Sequence, residues 1–241
     1  MAIMTYKQGS RGAVVALIQK KIGAYPDSIW GPVTTECLKA WQKAHGLTAD
    51  GIAGPRTLAA MGISAVVSQQ GQQGPLDSVT ACYAGKTITL KKSKRRIDEI
   101  IVHCTASREG QAQTVEQIRA NHTAPVSKGG RGWSDIGYHL VVYLDGTVHE
   151  GRNIDISGAH CANHNAHSIG IVYVGGVENR PGVPYKDLKP KDTRTEAQKA
   201  SLLALLVDLR KLYPTARIYG HRDFANKACP SFDAKTEYRK V

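Results

Sequence analysis

The sequence predicts a mixed α/β chain: a small three-helix N-terminal domain, then a larger domain whose central mixed β-sheet is flanked by helices. Three observations carry this: a motif repeated within the first 63 residues, an aperiodic stretch after it, and alternating strand-like runs and capped amphipathic segments beyond residue 86. The predicted boundaries are 1–66, a linker over 67–85, and 86–241. A chain of 241 residues has room for two domains with ordinary cores.

In the N-terminal part, Asp27-Ser28-Ile29-Trp30-Gly31-Pro32-Val33-Thr34 returns as Asp50-Gly51-Ile52-Ala53-Gly54-Pro55-Arg56-Thr57, five of eight residues being identical at an offset of 23. Each copy reads as a turn, an inward-pointing isoleucine, and a helix begun by proline, whose missing N–H costs nothing at the first helical position. After the first copy, Val33, Cys37, Leu38, Trp41 and Ala44 recur near helical spacing, and Gly46 ends the run. An earlier helix is expected from about Gly12 to Ile22, with Val14, Val15, Leu17, Ile18 and Ile22 as core. Trp30 and Trp41 are expected to be core aromatics rather than ligand platforms. The stretch Ser68-Gln69-Gln70-Gly71-Gln72-Gln73-Gly74-Pro75 has no periodicity and no charge, which is linker composition.

Beyond residue 86, Ile97–His103 reads as a buried strand, Gly137–Tyr143 and Thr147–Glu150 as a hairpin turning at Asp145-Gly146, and Ile169–Val174 and Arg217–Gly220 as further strands. Helices are expected from Thr114 with Gln117, and from Thr195 with Gln198, each pair spelling a capping box; Pro214 stops the second helix.

Composition narrows the function. The net charge of +12 divides as +4 over 1–66, −1 over 67–85 and +9 over 86–241, which favours an anionic polymer as partner without saying which. The start of the chain turns polar almost at once, so no Sec-type signal is expected, and no apolar run approaches the roughly 20 residues of a membrane span. Five cysteines (Cys37, Cys82, Cys104, Cys161, Cys229) without C-x-x-C spacing argue against a disulfide framework. All but Cys229 are expected to be buried small hydrophobes.

Cys229 is the exception because His221 precedes it by eight residues and His103 ends an apolar strand. Two imidazoles and a thiolate are three ligands for Zn²⁺ with a fourth position open, the pattern of a catalytic zinc. Strand alternation sends Cys104 to the opposite face from His103, and His139 to the opposite face from Tyr138, so Cys104 and His139 are expected to be structural. His160, His164 and His167 share a Gly/Asn-rich loop and are read as hydrogen-bonding groups for a glycan or peptide, with no compelling spacing for a second metal. His45, His122 and His149 are read as solvated surface, and Lys91-Lys92-Ser93-Lys94-Arg95-Arg96 as a solvated edge rather than a nucleic-acid patch.

The doubled D-x-x-x-G-P-x-T turns and Trp41-Gln42 resemble the peptidoglycan-binding domain of cell-wall lytic enzymes. That resemblance implies wall binding, with the groove between the repeats as the expected site. His103-Cys104-Thr105-Ala106-Ser107, Trp133-Ser134-Asp135-Ile136-Gly137-Tyr138-His139, Asp145-Gly146-Thr147-Val148, His167-Ser168-Ile169-Gly170 and Lys227-Ala228-Cys229-Pro230-Ser231-Phe232-Asp233 together resemble the type 2 zinc N-acetylmuramoyl-L-alanine amidases, most closely their small phage lysozymes. The resemblance implies an amidase that cuts between the lactyl group of N-acetylmuramic acid and the L-alanine of the stem peptide. It makes His103, His221 and Cys229 the zinc ligands and gives catalytic roles to Tyr138 and Lys227. Lys227 would steady developing oxyanion charge; Tyr138, a poor base at its ordinary pKa near ~10, would donate a hydrogen bond or shuttle a proton.

The reading that results is a monomeric phage endolysin, held in the host cytoplasm until lysis and then acting on the wall. The competing classes are a non-catalytic peptidoglycan receptor, in which the cysteine ligand would be lost; a host autolysin or recycling amidase; and a nucleic-acid binder, supported by charge alone. A glycosidase is disfavoured because no pair of carboxylates stands at suitable motif positions.

Overall fold

In a computed structural model of the chain, residues 5–24, 26–63 and 76–241 are described. Two compact units are present, residues 1–74 and 75–241. The first part of the expected linker, 67–75, lies outside the described residues.

The first unit contains α1 (Ala13–Lys21), α2 (Pro32–Ala44) and α3 (Pro55–Ala60). Gly31 and Gly54 cap α2 and α3, with proline at the first turn of each. The repeat has a structural cause. Gln19 Nε2 donates to Asp27 Oδ1, Ile29 O and Thr34 Oγ1 at 2.7, 3.0 and 3.0 Å, and Gln42 Nε2 donates to Asp50 Oδ1, Ile52 O and Thr57 Oγ1 at 3.0, 3.0 and 3.2 Å. One buried amide thus ties each turn to the helix that follows it, and the Asp and Thr of the motif are its acceptors. This clasp also fixes which way the turn faces. Ile29 and Ile52 were expected to point inward, but both are exposed, as is Leu17, and Ala44 faces solvent. The core is instead Val14, Val15, Ile18, Trp30, Leu38, Ala53, Leu58 and Met61. Trp30 is buried; Trp41 is half-buried and stacks on His45 at 3.8 Å.

The second unit opens with a hairpin, β1 (Ser78–Tyr83) and β2 (Lys86–Lys91). Residues 78–85, assigned to the linker by composition, therefore belong to a strand and its turn. Tyr83 anchors them: its buried ring joins the main core and its hydroxyl donates to Asp208 at 2.9 Å. The central sheet runs β6-β5-β7-β3-β9, from β3 (Glu99–Cys104), β5 (Leu140–Val142), β6 (Val148–Glu150), β7 (Ser168–Tyr173) and β9 (Arg217–Gly220). Its β5–β7, β7–β3 and β3–β9 pairs are parallel, and β5–β6 is the antiparallel hairpin. A small parallel pair joins β4 (Ser107–Arg108) to β8 (Gly176–Val177).

Alternation divides β3. Ile100, Val102 and Cys104 enter the core under α5 (Glu196–Leu212), with Leu202, Leu205, Leu206 and Leu209. Ile101 and His103 face the other side, where Val115 and Ile118 of α4 (Val115–Thr123) pack on Ile136, Val141, Val172 and Val174. The capping boxes of Thr114 with Gln117 and Thr195 with Gln198 are formed in full. A short α6 (Ala234–Glu237) closes the chain.

Candidate active site

The site grows out of the parallel pairing of β3 with β9. Val102 pairs with Gly220, so the next residues, His103 and His221, emerge side by side at the carboxyl ends of the strands with ring centroids 4.7 Å apart. Parallel strands share their ends, which is why open α/β sheets bind ligands there. His221 begins a short 3-10 turn, His221–Asp223, and the chain doubles back so that Arg222 N donates to Cys229 O at 2.7 Å. Gly220 permits the return: a Cβ there would stand 2.7 Å from Pro230 Cδ.

One donor atom each from His103, His221 and Cys229 lie within 4.8 Å of one another. Cys229 Sγ is 3.7 Å from His103 Nδ1, against about 3.6 Å for the edge of a tetrahedron with Zn–S near 2.3 Å and Zn–N near 2.05 Å. The protonation chemistry agrees. Burial, then His160, His221 and Lys227, hold His103 well below the ordinary histidine range, and burial and Lys227 lower His221, so both are neutral donors. The Cys104 side chain and burial push the Cys229 thiol up, so a thiolate at this position calls for a cation beside it. The donor set fits zinc.

His103 is also oriented from behind. Ser168 Oγ donates to His164 O at 2.7 Å, a carbonyl being unable to donate, and therefore accepts from His160 Nε2 at 3.3 Å. His160 Nδ1 is then a lone pair, 3.0 Å from His103 Nε2, which must carry the proton. Tautomer by tautomer, the chain leaves His103 Nδ1 as the free donor, the atom facing Cys229. His160 is wedged between Gly158 and Gly170, either of whose Cβ atoms would stand 2.4 Å from its Cδ2.

A cavity of about 450 Å³ opens on His221, lined also by His122, Arg131, Trp133, Tyr138, His160, Phe224 and Lys227. The half-buried Tyr138 ring is 5.2 Å from that of His103. Burial, then Cys229 and Cys104, raise its pKa further, so it stays a phenol. Lys227 is exposed at the cavity wall.

Several residues differ from their expected roles. His122 is no surface residue: its Nδ1 accepts from Gly137 N at 3.0 Å, its ring packs on Trp133 and Tyr138, and burial, then Arg131 and Arg152, lower its pKa to about 4. It is a neutral imidazole at the cavity wall. Arg95 is not a solvated edge: its guanidinium donates to the carbonyls of Ile154, Asn165, Ala166 and Ser168, clamping the His160 loop. His160 serves His103, a role invisible until β3 and β7 pair. Cys104 and Cys161 are buried, while Cys37 is half-exposed. His139 is structural, its Nδ1 accepting from Gly170 N at 2.9 Å.

Three converging donors beside a cavity, two of them at the ends of parallel strands, make the kind of site used by metal-assisted hydrolases. Residues 93–232 match the N-acetylmuramoyl-L-alanine amidase family, and the chain belongs to it. Residues 15–61 match the peptidoglycan binding domain family, so the binding domain precedes the amidase domain. The endolysin of Escherichia phage T7 is 38% identical over 149 residues, 62% of this chain and 90% of that protein. That of Klebsiella phage KP32 is 36% identical over 147 residues, 61% and 89% of the two chains. The peptidoglycan-recognition protein SC2 of Drosophila melanogaster is more distant, 28% identical over 166 residues, 65% and 81%.

Proposed function

We propose that the chain is an endolysin whose amidase domain, with zinc held by His103, His221 and Cys229, hydrolyses the amide between N-acetylmuramic acid and L-alanine while the N-terminal domain holds it to peptidoglycan. The observation that carries this reading is the His103–His221–Cys229 convergence, with His221 opening on the cavity, in a chain of the amidase family. Zinc in that set supplies Lewis acidity, which polarises a carbonyl and acidifies water.

The protein's own groups do the rest. The His160–Ser168 relay holds His103 in the donor tautomer. Tyr138, kept protonated by burial, offers a hydrogen bond to the carbonyl oxygen as it gains charge, and Lys227 sets a cation at the same wall to oppose that charge. His122, neutral and with Nδ1 committed to Gly137, presents an Nε2–H for orienting a substrate carbonyl. Arg131 and Lys227 make the cavity cationic, suited to a stem peptide bearing carboxylates. Tethering through the first unit raises the local concentration of polymer around the site.

Digestion of purified peptidoglycan followed by mass spectrometry, with and without chelator, tests the proposal. Free stem peptides beginning at L-alanine, lost on chelation and restored by zinc, are expected. Reducing sugar ends without released peptide, or undiminished release after the metal is stripped, would overturn it.

A further inference from the structure

The loop that supplies His160 carries two more imidazoles, aimed away from the cavity toward the opposite end of β3. His164 precedes the 3-10 turn Asn165–His167, His167 ends it, and both meet Glu99, the first residue of β3. His164 Nδ1 lies 2.8 Å and His167 Nδ1 3.6 Å from the same carboxylate oxygen, Glu99 Oε2. One donor atom each from His164, His167 and Glu99 falls within 4.8 Å of the others. Asp98 Oδ1 stands 2.7 Å from His167 Nδ1 and adds a second carboxylate.

We propose that His164, His167 and Glu99 form a second divalent-metal site, of zinc type, which clips the His160 loop to the base of β3. Three features argue for it. The 2.8 and 3.6 Å separations bracket the edge of about 3.3 Å expected between N and O ligands on a tetrahedral zinc. The donors are held by contacts that do not depend on an ion: the His164 ring packs on Phe224 at 3.8 Å, Arg95 pins the turn through Asn165 O and Ala166 O, and Asp98 N donates to His167 O at 3.0 Å. The chemistry is also balanced. A dication takes the place of the hydrogen bonds between the Nδ1 atoms and the carboxylates, and meets two imidazoles and the Glu99 carboxylate, with Asp98, itself paired with Arg96, adjacent. All four side chains are partly exposed, so an ion can enter.

The site does not depend on the thiolate set, and the two separate experimentally. Zinc bound by the full-length chain after equilibrium dialysis is measured by elemental mass spectrometry in wild type, Cys229→Ser, Glu99→Gln and His164→Ala/His167→Ala. Wild type is expected to hold two equivalents, and Cys229→Ser, Glu99→Gln and the double histidine variant one each. In the Cys229→Ser background, zinc should still raise the unfolding midpoint, and adding the two histidine substitutions should remove that shift. The proposal is overturned if wild type holds a single equivalent that Cys229→Ser removes, or if the second equivalent survives in the double histidine variant. Unchanged zinc content in Cys229→Ser, with the histidine-dependent equivalent lost elsewhere, would instead sink the thiolate site and leave this one standing.

Discussion

His160 Nδ1 stands 3.0 Å from His103 Nε2, and this one hydrogen bond decides which nitrogen of His103 is left for a metal. The relay makes His160 a positioning residue, since it reaches the proposed ion through His103. His160→Ala is expected to weaken zinc binding about 10- to 100-fold, read by competition with a chromophoric chelator, and to lower kcat with the metal. His160→Gln, whose amide oxygen can take the same proton, should recover much of the affinity. Gly170→Ala should mimic the loss by pushing the ring aside. Equal zinc affinity in wild type and His160→Ala would remove the relay from the account.

Cys229→Ser is expected to abolish metal-dependent turnover and leave peptidoglycan pull-down by the N-terminal unit intact, because the two compact units each have their own core. Loss of wall binding together with turnover would contradict a two-module enzyme.

The Gln19 and Gln42 clasps predict a stability effect confined to the first unit. Gln42→Leu leaves Asp50, Ile52 O and Thr57 without their shared donor and should cost that unit about 2–3 kcal/mol, with Gln19→Leu similar. Thermal unfolding should show the first transition lowered and the amidase transition unmoved. A shift within error in both variants would mean that the repeat's polar core is dispensable.

Acid should destabilise the amidase domain through His139. Burial above all, with Arg95 and Arg152 adding, lowers its pKa from 6.5 to about 4, and its Nδ1 must stay unprotonated to accept from Gly170 N. For a group whose folded pKa is depressed, stability is full above the unfolded value and is lost as pH falls from about 6.5 to about 4. At about 1.4 kcal/mol per unit the loss is about 3.5 kcal/mol at most. Urea titrations across that window should show it, and His139→Gln should make the curve shallower, His122 and His103 supplying the rest. An equally steep acid dependence in His139→Gln would assign the effect elsewhere.

Much of the fold was legible locally. The capping boxes at Thr114 and Thr195, the strand Arg217–Gly220 and the Asp145-Gly146 hairpin follow from side-chain chemistry within a few residues, and they form as expected. Composition misassigned 78–85, because a two-stranded ribbon draws its stability from the helix beneath it: Tyr83 reaching Asp208, with Leu90 in the same core, makes it part of the domain. Ile29 and Ile52 were misread for a similar reason, since the orientation of each turn is set by a glutamine eight to ten residues upstream.

The sequence by itself determined the domain order, the main helices, the strands of the central sheet, and the residue types able to hold a metal, because periodicity, caps and the presence of His and Cys are local properties of the chain. Tertiary structure alone decided that His103 presents Nδ1, that His122 lines the cavity, and that His164 and His167 meet Glu99. Each depends on atoms from strands far apart in the chain. Hydrogen-bond direction and donor convergence are set by distances of a few ångströms, which exist only once β3, β7 and β9 lie side by side.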